Sequence, residues 1–257
     1  MAIQITQNFS SQLKTINNAL YTGMNRTFYV DAINGDDNNP GTNDAPFKTI
    51  KKAIDSVPVG GFGTIILQNS QTHIINTWIE VKNKSIYFRS KDATSTLGSA
   101  DSNSPIILFD DNGTKLTGRI LTWNSTIQIA GYVHPVKIQL GKLTNTIEGV
   151  AFYGHWPFDG TTSNNYLSIA HTSVDISDGS CYLFAHFTKV GLRMAKIKKH
   201  STTNFAIGHV GYGTLAFQSS ECQIYDLNNN DISTKCISGI VRDSNGIPRN
   251  VISNIIL

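Results

Sequence analysis

Glu80, Glu148 and Glu221 are the only glutamates of this 257-residue chain, so its carboxylate chemistry rests mostly on aspartates. Glycoside hydrolysis needs two carboxyls roughly 5–10 Å apart, one to protonate the leaving oxygen and one to attack or to activate water. Polysaccharide lyase chemistry needs a base beside a cation that stabilises the developing enolate. The tightest acidic group is Asp175 and Asp178 in VDISDG, with Asp110 and Asp111 second. Val174 and Ile176 flank Asp175, so on a strand its carboxyl faces away from the core. Asp178 precedes Gly179 and reads as a turn residue. Both also fit plain surface and turn positions. Glu148 opens the most aromatic stretch of the chain, where Tyr153, His155, Trp156 and Asp159 suit a sugar-binding loop. Aromatic faces stack on the apolar faces of sugars while polar edges bond the hydroxyls. Tyr212, between Gly211 and Gly213, is a further sugar-binding candidate. Packing in a core or between chains is the competing reading of Trp156 and Phe158.

Other chemistries find little support. The seven histidines are scattered, without HExxH or paired spacing, so no catalytic metal is expected. No GxSxG, Walker loop or GxGxxG fingerprint is present, and the glycines around Gly208–Gly213 lead into a strand, so no cofactor is expected either. The basic run Lys189, Arg193, Lys196, Lys198, Lys199 and His200 lacks any nucleic-acid module around it; it reads as a solvated face or as a contact for an anionic polymer. Cys181, Cys222 and Cys236 are odd in number and lack CxxC spacing, which predicts buried free thiols. No apolar run reaches the roughly 20 residues that span a bilayer, and the start lacks the pattern of a signal peptide, so neither membrane insertion nor signal-directed export is expected.

The elements that must position these residues follow from composition. Only 15% of residues are charged, the net charge is +3, and Asn, Ser and Thr exceed a quarter of the chain. Thr and Ile favour strands and Asn favours turns, which points to a β-rich fold. Phe9, Leu13, Ile16 and Leu20 form one helical stripe over residues 5–24, about 14 helical residues that need a partner: their own domain, or the same stripe from two other copies. A second amphipathic helix is expected from Pro46 to Val57. From Thr64 onward short apolar or alternating segments recur, among them Ile79–Val81, Ile106–Phe109, Ile120–Trp123 and Cys181–Phe184, each bounded by Asn, Asp, Gly or Ser. A sandwich or barrel and a parallel solenoid both fit this pattern.

The segment FYVDAINGDDNNPGTNDAPFKTIKKAID, Phe28–Asp55, resembles the opening segment of right-handed parallel β-helix proteins of the pectate-lyase-like superfamily, as it occurs in bacteriophage tailspikes and tail fibres. GTIIL and NKSIYFRS after it look like the first two coils. The resemblance implies an all-β fold, a right-handed parallel β-helix or solenoid with an N-terminal helix and a short capping helix. It implies coils of roughly 20 to 25 residues, hence about eight or nine of them. The expected organisation is an N-terminal helical oligomerisation or docking segment (1–25), an opening strand with its capping helix (26–62) and the parallel β-helix itself (63–257). Asp31, Asp36, Asp37 and Asp44 would then form turns, with a bound Ca²⁺ as the alternative.

What the resemblance implies for function is a tail-fibre or tailspike subunit of the virion: a homotrimer joined through Phe9, Leu13, Ile16 and Leu20, docked through its N-terminus on other phage tail or baseplate proteins. It would recognise a polysaccharide of the bacterial surface, without nucleic-acid partners. A polysaccharide depolymerase, lyase or hydrolase, using Glu148 with Asp159 or Asp175 with Asp178, is the alternative. A structural adaptor without glycan contact is the third reading.

Overall fold

The computed structural model describes residues 23–91, 101–130, 134–155, 164–211 and 213–257. The four residues of the expected N-terminal stripe, Phe9, Leu13, Ile16 and Leu20, lie outside these, as do Trp156, Asp159 and Tyr212. Among the described residues the fold is all-β, with strands numbered along the chain and gathered in three parallel sheets. The first sheet has eight strands: β1 (Asn25–Val30), β2 (Phe62–Leu67), β5 (Ser85–Ser90), β8 (Thr126–Ala130), β11 (Tyr166–Ala170), β14 (Lys189–Arg193), β17 (Leu215–Ser220) and β20 (Val251–Ser253). The second has six: β3 (Thr72–Ile75), β6 (Ile106–Phe109), β9 (Lys137–Leu140), β12 (Ser173–Ile176), β15 (Lys196–Lys199) and β18 (Gln223–Tyr225). The third also has six: β4 (Trp78–Lys82), β7 (Arg119–Trp123), β10 (Gly149–Gly154), β13 (Cys181–Ala185), β16 (Gly208–His209) and β19 (Ile237–Ser238). From β2 onward the chain visits the sheets in rotation, so each strand pairs with the one three strands later. The stretch Gly149–Gly154, read above as part of an aromatic loop, is strand β10.

The rotation does not have the short, even period expected. Phe62 pairs with Ser85 and Tyr166 with Lys189, but Ser85 pairs with Thr126 and Thr126 with Tyr166. Corner hydrogen bonds carry the same unequal steps: 41 residues from Lys84 to Ser125, 40 from Ser125 to Asn165 and 23 from Asn165 to Thr188. The first sheet therefore gains six strands after β2, where eight or nine coils were expected. Long connections such as 110–118 and 141–148 use up chain without adding a rung.

Period-two alternation packs the interior. Ile86, Ile127, Leu167, Val190 and Phe217 form one inward column, and Ile107, Ile138, Val174, Ile197 and Ile224 form another. Ile79, Ile120, Phe152 and Phe184 line the third sheet, and all of these side chains are buried. Burying each is worth roughly 1.5–3 kcal/mol. Phe109 meets Phe152 edge-on at 5.0 Å and links the second sheet to the third.

The corners are single residues in the left-handed region. His171, Met194 and Glu221 follow β11, β14 and β17 directly, with φ of 50, 48 and 55°. Such a bend costs about 1–2 kcal/mol per non-glycine residue. The ladder bonds continue around it and offset that cost: His171 N–H donates to Arg193 O at 3.0 Å, and Met194 N–H to Ser220 O at 2.8 Å. Ahead of the first sheet, Asn83 and Asn124 take the same conformation, which asparagine tolerates well. Their side chains stack, Asn124 Nδ2 donating to Asn83 Oδ1 at 3.0 Å.

At the first rung, helix α1 (Ile50–Asp55) buries Ile50, Ala53 and Ile54 and touches β1, β2, β3 and β4, strands of all three sheets. Thr49 caps it by accepting from Lys52 N–H. The helix is shorter than the expected Pro46–Val57 because Phe47 pairs with Val30 as an extra extended rung, its N–H donating to Tyr29 O at 2.9 Å. The Phe47 ring occupies the space over Gly41 (φ 77°), where a Cβ would stand 2.3 Å from Cε2. The aspartates of this segment are turn formers. Asp31 Oδ1 accepts from Ile33 N, Asn34 N and Gln71 Nε2, Asp37 accepts from Lys48 N, Thr49 N and Thr49 Oγ1, and Asp36 accepts from Asn38 N. Asp44 accepts from Asn43 Nδ2. Among the described residues no group of three or more His, Cys, Asp or Glu is placed to hold a metal ion, and no helix is long and apolar enough to cross a membrane. The cysteines are free thiols, Cys181 and Cys236 buried and Cys222 half-buried.

Candidate functional site

The outer face of the third sheet collects side chains that are far apart in sequence. On β4 the outward residues are Trp78, Glu80 and Lys82, alternating with buried Ile79 and Val81. Parallel register sets Arg119 beside Trp78 and Trp123 beside Lys82, and it sets Tyr153 of β10 beside Leu121. His186 follows β13, and His209 pairs with Ala185 on the next rung. Neighbouring strands lie about 4.8 Å apart, so consecutive outward rings are forced into contact.

Two runs of contact result. In one, the Arg119 guanidinium sits 5.2 Å from the Trp78 ring and 5.4 Å from the Tyr153 ring. Tyr153 packs on His186 at 4.7 Å, His186 on His209 at 6.0 Å, and His209 on Tyr182 at 5.8 Å. In the other, Lys82 Nζ lies 4.6 Å from the Trp123 ring, which stacks on His155 at 4.6 Å and 26°. Trp78 is 60% exposed, so the face opens to solvent at its first rung. Tyr153 and His155, both expected to bind sugar, fall in different runs, Tyr153 in the first and His155 in the second.

The charge of this face is lopsided. Glu80 is the only acidic residue in the strands of the third sheet, and Lys82 holds it at 2.7 Å. Burial lowers the pKa of Arg119, with Tyr153 opposing, yet a guanidinium stays protonated at any working pH. Burial, and then the neighbouring His209, lower the pKa of His186, which keeps that ring neutral at pH 7. The face thus offers ring surfaces, the neutral His186 among them, beside the fixed charge of Arg119.

Asp159 lies outside the described residues; the other carboxylates proposed for catalysis stand elsewhere, each with a partner of its own. Glu148, in the connection before β10, pairs with Lys115 Nζ at 2.9 Å on the surface. Asp175 points outward from β12, as its flanking residues required, and its Oδ1 lies 2.8 Å from His200 Nε2. Asp178 sits in the turn after β12, where Gly179 N–H donates to it. A hydrogen bond from Ser201 is the largest influence on Asp178, and with the Lys199 charge nearby it holds the carboxyl below the usual range, in the ionised form. Asp111 is buried, accepting from Gly113 N at 2.7 Å and Asn145 Nδ2 at 3.2 Å, and so anchors the connection of the next rung.

The basic run needs one correction. Lys189, Arg193 and Lys196 are exposed and Lys198 is half-buried, but Lys199 is 0% exposed. It continues the inward column of Ile75, Phe109, Leu140 and Ile176, because Ile197 and Lys199 share parity on β15. Its Nζ donates to Gly179 O at 3.0 Å and Cys181 O at 2.7 Å, and burial brings its pKa down to about 8.

Sequence reasoning does not single out Trp78, Arg119, Trp123, Tyr182, His186 or His209 as site residues. The available signal is parity: Trp78 and Arg119 each precede an apolar residue that must face inward. Parity gives the direction of a side chain, and only register shows which others stand beside it. No family model matches this chain, and neither the curated proteins nor the solved structures provide a match.

Proposed function

We propose that the chain is a right-handed parallel β-helix that binds a polysaccharide along the outer face of its third sheet. In this reading it is the receptor-binding subunit of a phage tail fibre or tailspike. The observation that carries the binding role is the continuous run of rings from Trp78 through Arg119, Tyr153 and His186 to His209. An extended polymer suits a site built one rung at a time, since each sugar meets a ring from a different turn of the chain. Strict rotation among three parallel sheets supports the β-helix assignment. The Phe28–Asp55 segment, with its resemblance to tailspike opening segments, supports the virion location, the homotrimer and the docking of residues 1–25 on other tail proteins. Separate partners for Glu148, Asp175 and Asp178 favour binding over cleavage.

The test is a glycan array of bacterial surface polysaccharides probed with the purified chain and with Trp78→Ala, which removes the exposed ring of that run. Binding by the wild type and a loss of about ten- to a hundredfold in the variant are expected, in line with one aromatic stacking contact and its buried area. Binding that survives Trp78→Ala unchanged refutes the site. Release of new reducing ends from a bound polymer refutes the non-catalytic role and favours a depolymerase, whereas silence across the array leaves a structural adaptor as the better reading.

A further inference from the structure

Arg119 is held on the ring-bearing face without a counter-charge among the described residues. Lys82, the other strand cation there, is neutralised by Glu80 at 2.7 Å. Among the described residues Arg119 makes no ion pair, and its hydrogen bond is Nε to Val150 O at 3.1 Å. That bond and the two rings at 5.2 and 5.4 Å fix the plane of the guanidinium. Both Nη nitrogens are left without a partner among the described residues, and neither is shut away from solvent. A half-buried guanidinium in this state has lost part of its hydration and gained no ion in return. Its free edge is a two-pronged donor whose geometry matches a planar oxyanion.

We infer that the polymer bound by this face is acidic, and that a sugar carboxylate, as in a uronic or sialic acid, is taken bidentately by the free edge of Arg119 while adjoining sugar rings lie on Trp78 and Tyr153. This rests on the binding role proposed above and adds the chemical class of the ligand and the residue that selects it. A neutral polymer would stack on the same rings and leave the guanidinium as under-solvated as before, so the carboxylate makes the difference.

The experiment prints acidic bacterial capsular polysaccharides beside their carboxyl-reduced forms, which keep the backbone and lose the charge. Wild-type protein is expected to bind the acidic forms about ten- to a hundredfold more tightly, the range for hydrogen bonds to a charged group. Arg119→Gln abolishes that preference while keeping residual binding to both forms. Arg119→Lys, which restores charge without the fork, recovers only part of it. Trp78→Ala, at an exposed position where folding is not at risk, weakens binding to both forms. Equal wild-type affinity for acidic and reduced forms overturns the inference and leaves the binding role standing. No binding to either form overturns both.

Discussion

Lys199→Met tests the interior directly, because the native residue is a buried ammonium in an apolar column. Its amine has an ordinary pKa of 10.5, and burial lowers it to about 8 in the folded chain. A tenfold change in a proton's dissociation constant corresponds to about 1.4 kcal/mol, so the gap amounts to about 3 kcal/mol. Below pH 8 the amine is charged in both states, and the fold carries the whole cost of burying that charge. Between pH 8 and 10.5 the folded chain has released the proton and the unfolded chain still holds it, so stability attributable to Lys199 rises with pH and is complete above 10.5. Methionine removes the buried charge and leaves Gly179 O and Cys181 O without their donor. Two carbonyls losing a charged donor offset much of the relieved desolvation at pH 7. The assay is urea denaturation of both proteins from pH 7 to 10.5. Cys181 and Cys236, whose thiols burial pushes up to about 12, titrate with the opposite sign and destabilise the fold as pH rises above 9, in both proteins. The difference between the two curves therefore isolates the lysine. It is expected to shift by about 3 kcal/mol in favour of the wild type across that window. A difference that stays flat from pH 8 to 10.5 refutes the claim that the ammonium is desolvated inside the column.

Two further substitutions probe the same columns. Phe152→Ala empties a fully buried position whose ring meets Phe109 at 5.0 Å, and it should cost about 3–5 kcal/mol in chemical denaturation; a loss below about 1 kcal/mol would mean that the second and third sheets are not joined there. His73, 2% exposed, begins the column that continues as Ile107 and Ile138; its Nδ1 has no partner among the described residues, and burial lowers its pKa below 6.5. Its stabilising share is present above pH 6.5 and is lost as the pH falls through the lowered value, so His73→Leu should flatten the acid limb of the stability curve between pH 7 and 4, and an unchanged limb would refute this.

Local information explains why some of the fold is legible in the sequence and some is not. Ile106–Phe109 is a strand with the bounds its short apolar run predicts, and the segments around Ile79 and Ile120 differ only at their ends, because such bounds are decided by adjacent residues. β8, with its TIQIA pattern, and β15, with KIKK, escape recognition as strands because polar residues fill most outward positions and leave few apolar ones. The capping helix starts later than expected because Pro46 and Phe47 suit a first helical turn as well as they suit the extended rung beside Val30. Lys199 misleads for a related reason. In a run of cations charge suggests a solvated face, while the alternation of Ile197, Lys198 and Lys199 gives the inward direction.

The candidate site is legible only as fragments, and the cause lies in how a parallel stack assembles a surface. In a helix, partners stand three or four residues apart and a short motif can reveal them. Here Tyr153 meets Arg119 and His186 across separate turns of the chain, and those turns differ in length because the connections differ. A fixed spacing cannot encode such a site, and unequal connections can change without disturbing the strand register beneath it. On the binding role proposed above, the same construction would distribute recognition along the face. Losing one ring should weaken binding without abolishing it, whereas losing Arg119, which makes no ion pair among the described residues, should change which polymer is chosen. In that proposal affinity and selectivity reside in different residues of one face, the rings supplying the first and Arg119 the second.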